Sequence, residues 1–359
     1  MSSNLLFAAY AERRGGYIAT HFETTTPDTL AFQLATLVRS IEQFSAIELR
    51  NSRNQPLQMA VGVTADLAGN AFAHLHDGIH YIGLTLGHFL SSAYFSYQLF
   101  FRTPCFPDIG TTPSAATPPI ELCPHRQFWS RHGLAFLDGI AEIETEDTTR
   151  IKAATFLIHA ISSLALYHEF FHATLGHCAV LSQLGFAGHL REVESEDASD
   201  VPDLISRALE READARAISL ALNLILSDSD IPTAGGIVNL PVRDRVRLLL
   251  VAAGLLTASW HTWQIRTGWH GPTHPEPSSR FLDFFNAARD TLRVRDMDAL
   301  FSSTAQHALD DLAIAAHQSN DLVAALHLFR QAASAPRVPK PAPPELQELL
   351  EREAFVAFQ

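Results

Sequence analysis

An apolar run without a single Asp, Glu, Lys or Arg, Ala153 to Tyr167, leads straight into His168-Glu169-Phe170-Phe171-His172. A stretch this apolar has to be buried, and its spacing predicts one helix from Thr149 to Leu184. Histidines four apart on a helix stand one above the other on a single face. His168 and His172 can therefore offer two imidazoles to one metal ion while Glu169 approaches the same point from the side. The plain alternative is a pair of ordinary core histidines.

The pattern H-E-x-x-H is zinc-hydrolase geometry, but catalytic zinc ordinarily takes three protein ligands and keeps a fourth position for water. A histidine at the tenth position after His168 would make a metzincin, and Cys178 stands there instead. Downstream, Leu209 to Ala215 reads as an amphipathic helix carrying Glu210 and Asp214 four apart. Glu210 can ligate the metal while Asp214, one turn on, hydrogen-bonds a ligand imidazole. Taken alone, Glu210 beside Arg207 and Arg211 reads as a solvated helix face; its place after a helical H-E-x-x-H favours the ligand. The other candidates are His177, five residues past His172 and off the shared face, and Glu192, Glu194 and Glu196 in an acidic loop.

A later cluster, Thr273-His274-Pro275-Glu276-Pro277-Ser278-Ser279-Arg280, precedes an apolar helix that begins at Phe281. A histidine held by a following proline and an arginine at a helix start can both point into a cleft as oxyanion donors. His74, His76 and His80 read as hydrogen-bonded or solvated strand residues in preference to a second metal site. Trp260, Trp263 and Trp269 read as a packed core rim.

The order H-E-x-x-H, E-x-E-A-D, T-H-P-x-x-x-x-R resembles the gluzincin peptidases of the CAAX prenyl protease and HtpX-like group. The form H-E-x-x-H-x-x-x-G-H, ending in Gly176-His177, is also similar to the soluble Lit-like and ImmA/IrrE-like peptidases. The likeness runs from about residue 160 to 285 and lies in motifs. It implies His168, His172 and Glu210 as zinc ligands, Glu169 as general base, Asp214 as the partner of a ligand imidazole, and His274 and Arg280 as transition-state contacts. Gluzincins of the first group are typically membrane proteins. In this chain the longest apolar stretches, Ala153 to Tyr167 and Leu248 to Ser259, fall short of the roughly 20 residues a span needs.

The remaining sequence sets the frame. Helical spacing covers Thr29 to Glu48, and residues 46 to 86 read as three or four short strands with turns at Gly69-Asn70 and Asp77-Gly78. An aromatic helix is predicted over Ile82 to Phe101. A proline-rich segment follows to Pro124, then helices over 127–142, 149–184, 203–226, 241–264, 278–292 and 296–334. This divides the chain into an N-terminal α+β region at 1–125, a helical region carrying the zinc site at 126–335, and a proline-rich linker with a short helix at 336–359. An exposed edge strand within Ala71 to Leu84 is expected to hold an extended peptide.

With 26 Lys+Arg against 39 Asp+Glu the chain carries a formal charge of −13, which disfavours nucleic acid as a partner. The three cysteines, Cys105, Cys123 and Cys178, form no CxxC pair, so a reducing, cytoplasmic setting is expected. The reading is thus a predominantly helical α+β, zincin-like fold with a small N-terminal sheet, binding one Zn2+ per chain and hydrolysing a protein or peptide substrate. It has no integral membrane span, leaves room for peripheral membrane contact, and does not fix an oligomeric state. The rival from another class is a catalytically silent zinc-binding regulatory or sensor protein.

Overall fold

In chain order the computed structural model runs α1 (Ser3–Ala11), β1 (Tyr17–Ile18), α2 (Leu30–Ser45), β2 (Leu49–Arg50), β3 (Met59–Thr64), β4 (Ala71–His76), β5 (Ile79–Thr85) and α3 (Leu86–Arg102). It continues with α4 (Thr148–Thr174), α5 (His177–Gln183), β6 (His189–Arg191), α6 (Asp203–Leu226), α7 (Val242–Thr267) and α8 (Pro277–Arg293). The last elements are α9 (Asp298–Ala316), α10 (Asn320–Ser334), α11 (Pro344–Glu353) and β7 (Val356–Ala357). The structure describes residues 3–12, 15–18, 30–45, 47–112, 147–184, 189–191, 203–227, 240–267, 277–317, 319–334, 344–354 and 356–357. The helix expected over 127–142 and the acidic loop from Glu192 lie outside them.

The apolar run ahead of His168 becomes the middle of α4, and every residue from Ala153 to Phe170 is buried. A helix apolar all round has to be enclosed by other elements. Here α3, α6 and α7 pack against it together with strands β4 and β5. Asp147 starts it by accepting the Thr149 and Arg150 N–H groups, a cap worth about 1 kcal/mol. The fully buried Arg150 donates to the carbonyls of Phe100, Cys105, Phe106 and Ile109, tying the chain after α3 to the base of α4.

The chain is predominantly helical with one small mixed sheet, an α+β fold as expected. Strand order is β1-β3-β5-β4-β6, with β3 parallel to β5 and all other neighbours antiparallel. The turn expected at Asp77-Gly78 joins β4 to β5, both residues having positive φ. A separate two-stranded pairing joins β2 to β7 near the C-terminus. The main hydrophobic core is continuous from Leu34 to Phe329.

Four expectations are corrected. Ile82 to Thr85 continues strand β5 and does not begin the aromatic helix. Ile82, Gly83 and Leu84 pair with Val61, Gly62 and Val63, and the Thr85 hydroxyl accepts the His88 N–H as the cap that starts α3. Both β4 and β5 are interior strands, with β6 covering β4 at Phe72 to His74, so the expected peptide-binding edge is occupied. The helix expected to reach Leu184 breaks after Thr174, because Gly176 adopts the left-handed region at φ 76°. The long helix over 296–334 divides into α9, which ends at Ala316, and α10, which begins at Asn320. Helix α1 went unread in the sequence; it lays Phe7 so closely over β3 that a Cβ on Gly62 would meet the ring at 2.4 Å.

Helix α7 is long and apolar enough, over Val242–Ile265, to cross a membrane, and 72% of the apolar 18-residue stretch within it is buried inside the fold, as in a core helix. His74 hydrogen-bonds the Tyr10 hydroxyl at 3.0 Å, in keeping with its reading as a bonded strand residue.

Candidate metal centre

Helix periodicity alone brings two donors together. On α4 the His168 and His172 Nε2 atoms stand 2.8 Å apart. Helix α6 packs against α4 and supplies Glu210, whose Oε2 lies 3.2 Å from His168 Nε2 and whose Oε1 lies 3.5 Å from His172 Nε2. All three side chains are at most 1% exposed. Among the described residues this is the one group of three or more His, Cys, Asp or Glu whose donor atoms lie within 4.8 Å of one another.

The donor set can be tested for fit. Two ligands about 2.0 to 2.2 Å from one tetrahedral ion stand roughly 3.3 to 3.6 Å apart. The observed separations, 2.8, 3.2 and 3.5 Å, are those of a slightly contracted site. Two imidazoles and a carboxylate make an N,N,O set suited to zinc and to other divalent transition metals.

The hydrogen bonds behind these ligands also fit. The Nδ1 of His168 lies 2.9 Å from Asp214 Oδ1. A carboxylate there accepts the Nδ1 proton and leaves a lone pair on Nε2, facing Glu210 and His172. Asp214 is in turn held by Arg280, through Nε to Oδ2 at 2.8 Å and Nη2 to Oδ1 at 2.7 Å. The guanidinium lies 3.7 Å from the centroid of Trp260, a cation–π contact in a fully enclosed setting. Arg280 Nη2 also comes within 3.6 Å of Glu210 Oε2, so two carboxylates and one guanidinium share the interior.

Behind the second ligand stands His177, the first residue of α5, with its Nδ1 2.7 Å from His172 Nδ1. Its Nε2 faces Glu212 Oε2 at 3.6 Å, longer than a hydrogen bond and within ion-pair range. Burial holds both His172 and His177 below the usual imidazole range, which favours the neutral, ligating form. The His177 contact keeps the Glu212 carboxyl below its ordinary range.

Of the residues singled out in the sequence, His168, His172, Glu210, Asp214 and Arg280 meet in this one cluster. Glu169 is buried beside it on α4. His274 lies outside the described residues, as do Glu192, Glu194 and Glu196. By spacing His177 is only a rival ligand, whereas in the structure its ring backs onto His172. The signal available was Gly176, a helix-ending glycine placed where the chain must turn. Trp260 lies under the Arg280 guanidinium, and nothing in its spacing points to that partner.

No protein-family model, curated protein or solved structure matches the chain.

Proposed function

We propose that this chain is a zinc-dependent endopeptidase of zincin-like fold, with His168, His172 and Glu210 holding one Zn2+. The observation that carries this reading is the convergence of two H-E-x-x-H imidazoles and a carboxylate from a second helix on one point, with Glu169 buried next to them. Bound there, zinc supplies a Lewis acid that polarises a carbonyl and makes water a better nucleophile near neutral pH. The chain's own groups do the rest. Glu169 takes a proton from the attacking water and returns it to the leaving amine. Asp214 fixes the ring of His168, and Arg280 holds Asp214 in place. His274 is assigned to the oxyanion on the resemblance of its T-H-P motif. Arg280 is kept with it as a transition-state contact on the same ground. The substrate is a protein or peptide, met in the cytoplasm.

The test is Glu169→Gln. The variant should keep its zinc and lose on the order of 100- to 10,000-fold in peptide turnover. Proteomes of cells expressing either form would supply the substrate. Native-level cleavage by Glu169→Gln would remove Glu169 as base and this mechanism with it.

A second reading is favoured by one specific observation: His168, Glu169, His172 and Glu210 are all 0 to 1% exposed. Structural zinc sites are closed, whereas catalytic ones keep an open position. On that reading the chain is a catalytically silent, zinc-binding regulatory protein. Zinc-loaded native protein that leaves proteomes unchanged against Glu169→Gln would decide for it.

A further inference from the structure

Trp260 borders a second feature besides the metal centre: a cavity of about 390 Å3, its open mouth included, enclosed by the start of α3, the middle of α4 and the end of α7. That volume is at the small end of ligand pockets, which run from about 300 to 1,000 Å3, and suits a molecule of one ring. Phe95, Trp260 and Trp263 line it with aromatic surface, and Ile161 and Leu256 with aliphatic surface. Such a lining favours a flat, apolar body.

Four polar side chains interrupt the lining: His88, Ser91, Ser92 and Ser259. Each serine donates its proton within its own helix, Ser91 to the Gly87 carbonyl at 2.7 Å, Ser92 to the His88 carbonyl at 3.0 Å and Ser259 to the Leu255 carbonyl at 2.9 Å. A hydroxyl engaged this way has only lone pairs left to offer. His88 is 8% exposed, hydrogen-bonds the Ile161 backbone, and has no partner at Nε2. The bond to the Ile161 carbonyl therefore belongs to Nδ1. Burial lowers the ring to about 4, so it is neutral near pH 7, with its one N–H engaged and a lone pair on Nε2. A buried acceptor left unpaired is unfavourable, and a ligand that donates to it removes that cost.

Trp260 decides the charge of the occupant. The Arg280 guanidinium lies 3.7 Å from the centroid of its ring, so a cation in the cavity would meet a like charge close by. An anion would find no hydroxyl proton and no charged imidazole to receive it. A neutral group with a proton to give suits both conditions. We propose that this cavity binds a neutral, one-ring aromatic group carrying a single O–H donor, a phenol, with its ring among Phe95, Trp260 and Trp263 and its hydroxyl donating to His88 Nε2. The same chemistry belongs to a free phenolic molecule and to the side chain of a tyrosine in a peptide.

The test titrates phenol, and toluene as the same ring without a donor, into the full chain with no metal added, so its outcome is independent of the zinc reading. Binding is followed by calorimetry, and the His88 ring nitrogens by long-range 1H–15N spectra. Phenol is expected to fill one saturable site about 10-fold more tightly than toluene and to shift the Nε2 resonance. His88→Phe should bring phenol to the affinity of toluene. Ser259→Leu, which fills the cavity from a half-buried position on its wall, should abolish binding of both. The comparison of phenol with toluene uses the native chain and so holds even where His88→Phe does not fold. N-acetyltyrosinamide separates the two sources: displacement of phenol assigns the cavity to a tyrosine side chain, and failure to displace it assigns the cavity to a free small molecule. The absence of a saturable phenol site, equal affinity for phenol and toluene, or phenol binding that survives Ser259→Leu overturns the proposal.

Discussion

Arg280 grips Asp214 with two hydrogen bonds, Nε to Oδ2 at 2.8 Å and Nη2 to Oδ1 at 2.7 Å, in an interior where neither side chain is more than 2% exposed. The same carboxylate holds His168, so one residue serves a metal ligand and a buried cation at once. Asp214→Asn therefore removes two things. It weakens the hold on the His168 tautomer, expected to cost roughly 10- to 100-fold in zinc affinity. It also strips the main counter-charge from Arg280, and breaking a buried pair on one side costs about 3 to 5 kcal/mol. Urea denaturation alongside chelator competition should show both losses. A variant with native stability and native zinc binding would return Asp214 to the role of a spectator.

Glu210→Ala tests the third ligand. Elemental analysis should fall from one zinc per chain to none, because two imidazoles alone are a poor site for zinc. His177 cannot take its place, since the ring approaches His172 from behind through Nδ1. Full zinc in Glu210→Ala would instead assign the third place to a residue such as Glu192, Glu194 or Glu196.

These expectations trace back to the parts of the site that sequence could convey. His168 and His172 were legible because a helix repeats every 3.6 residues, and Asp214 because it lies one turn from Glu210 on the same helix. What spacing cannot convey is a pairing between distant segments. Arg280 meets Asp214 across 66 residues of chain, and its motif suggested a cleft, with no hint of the carboxylate it holds. The early start given to the aromatic helix, at Ile82 on the end of β5, has another cause. Its run Ile82-Gly83-Leu84 is apolar throughout because the strand is buried on both faces, and such a run looks the same as a buried helix until pairing decides it. His177 was hidden by one residue: with Gly176 taken as helical, the ring points away from His172.

Gly176 itself makes a third prediction. At φ 76° any other L-residue costs roughly 1 to 2 kcal/mol, and the added Cβ must also displace Glu353. The segment it would push is fastened by Ser52 to the Arg352 carbonyl at 2.7 Å, by Arg352 to Gln183 at 2.6 Å, and by Arg53 to Glu353. Gly176→Ala should lower stability by at least that amount. It should also speed hydrogen exchange where Leu49 and Arg50 pair with Ala357 and Val356. Native exchange at those amides would show that the C-terminal segment is not seated on this turn.

The last prediction concerns acid. His80, His88 and His159 are buried, and desolvation lowers each from 6.5 to about 4. For each, the folded value lies below the unfolded one, so between these values the unfolded chain binds more protons than the folded chain. Their contribution is complete above pH 6.5 and is lost as the pH falls from 6.5 toward 4. One such histidine accounts for about 3 kcal/mol over that window, and three together approach the whole stability of an ordinary domain, about 5 to 15 kcal/mol. The protein should therefore weaken below pH 6.5, before its carboxylates are protonated. His172 and His177 are also held low by burial and add to this trend, so the measurement needs a variant that isolates one site. His159 suits the purpose, because burial is the only cause of its shift and it lies well before the metal ligands on α4. Urea midpoints of the native chain and His159→Phe, followed from pH 7.5 to 5, should diverge. The native slope should exceed that of the variant by up to one proton, about 1.4 kcal/mol per pH unit. Parallel slopes would mean that His159 is already charged in the folded protein or never exposed on unfolding.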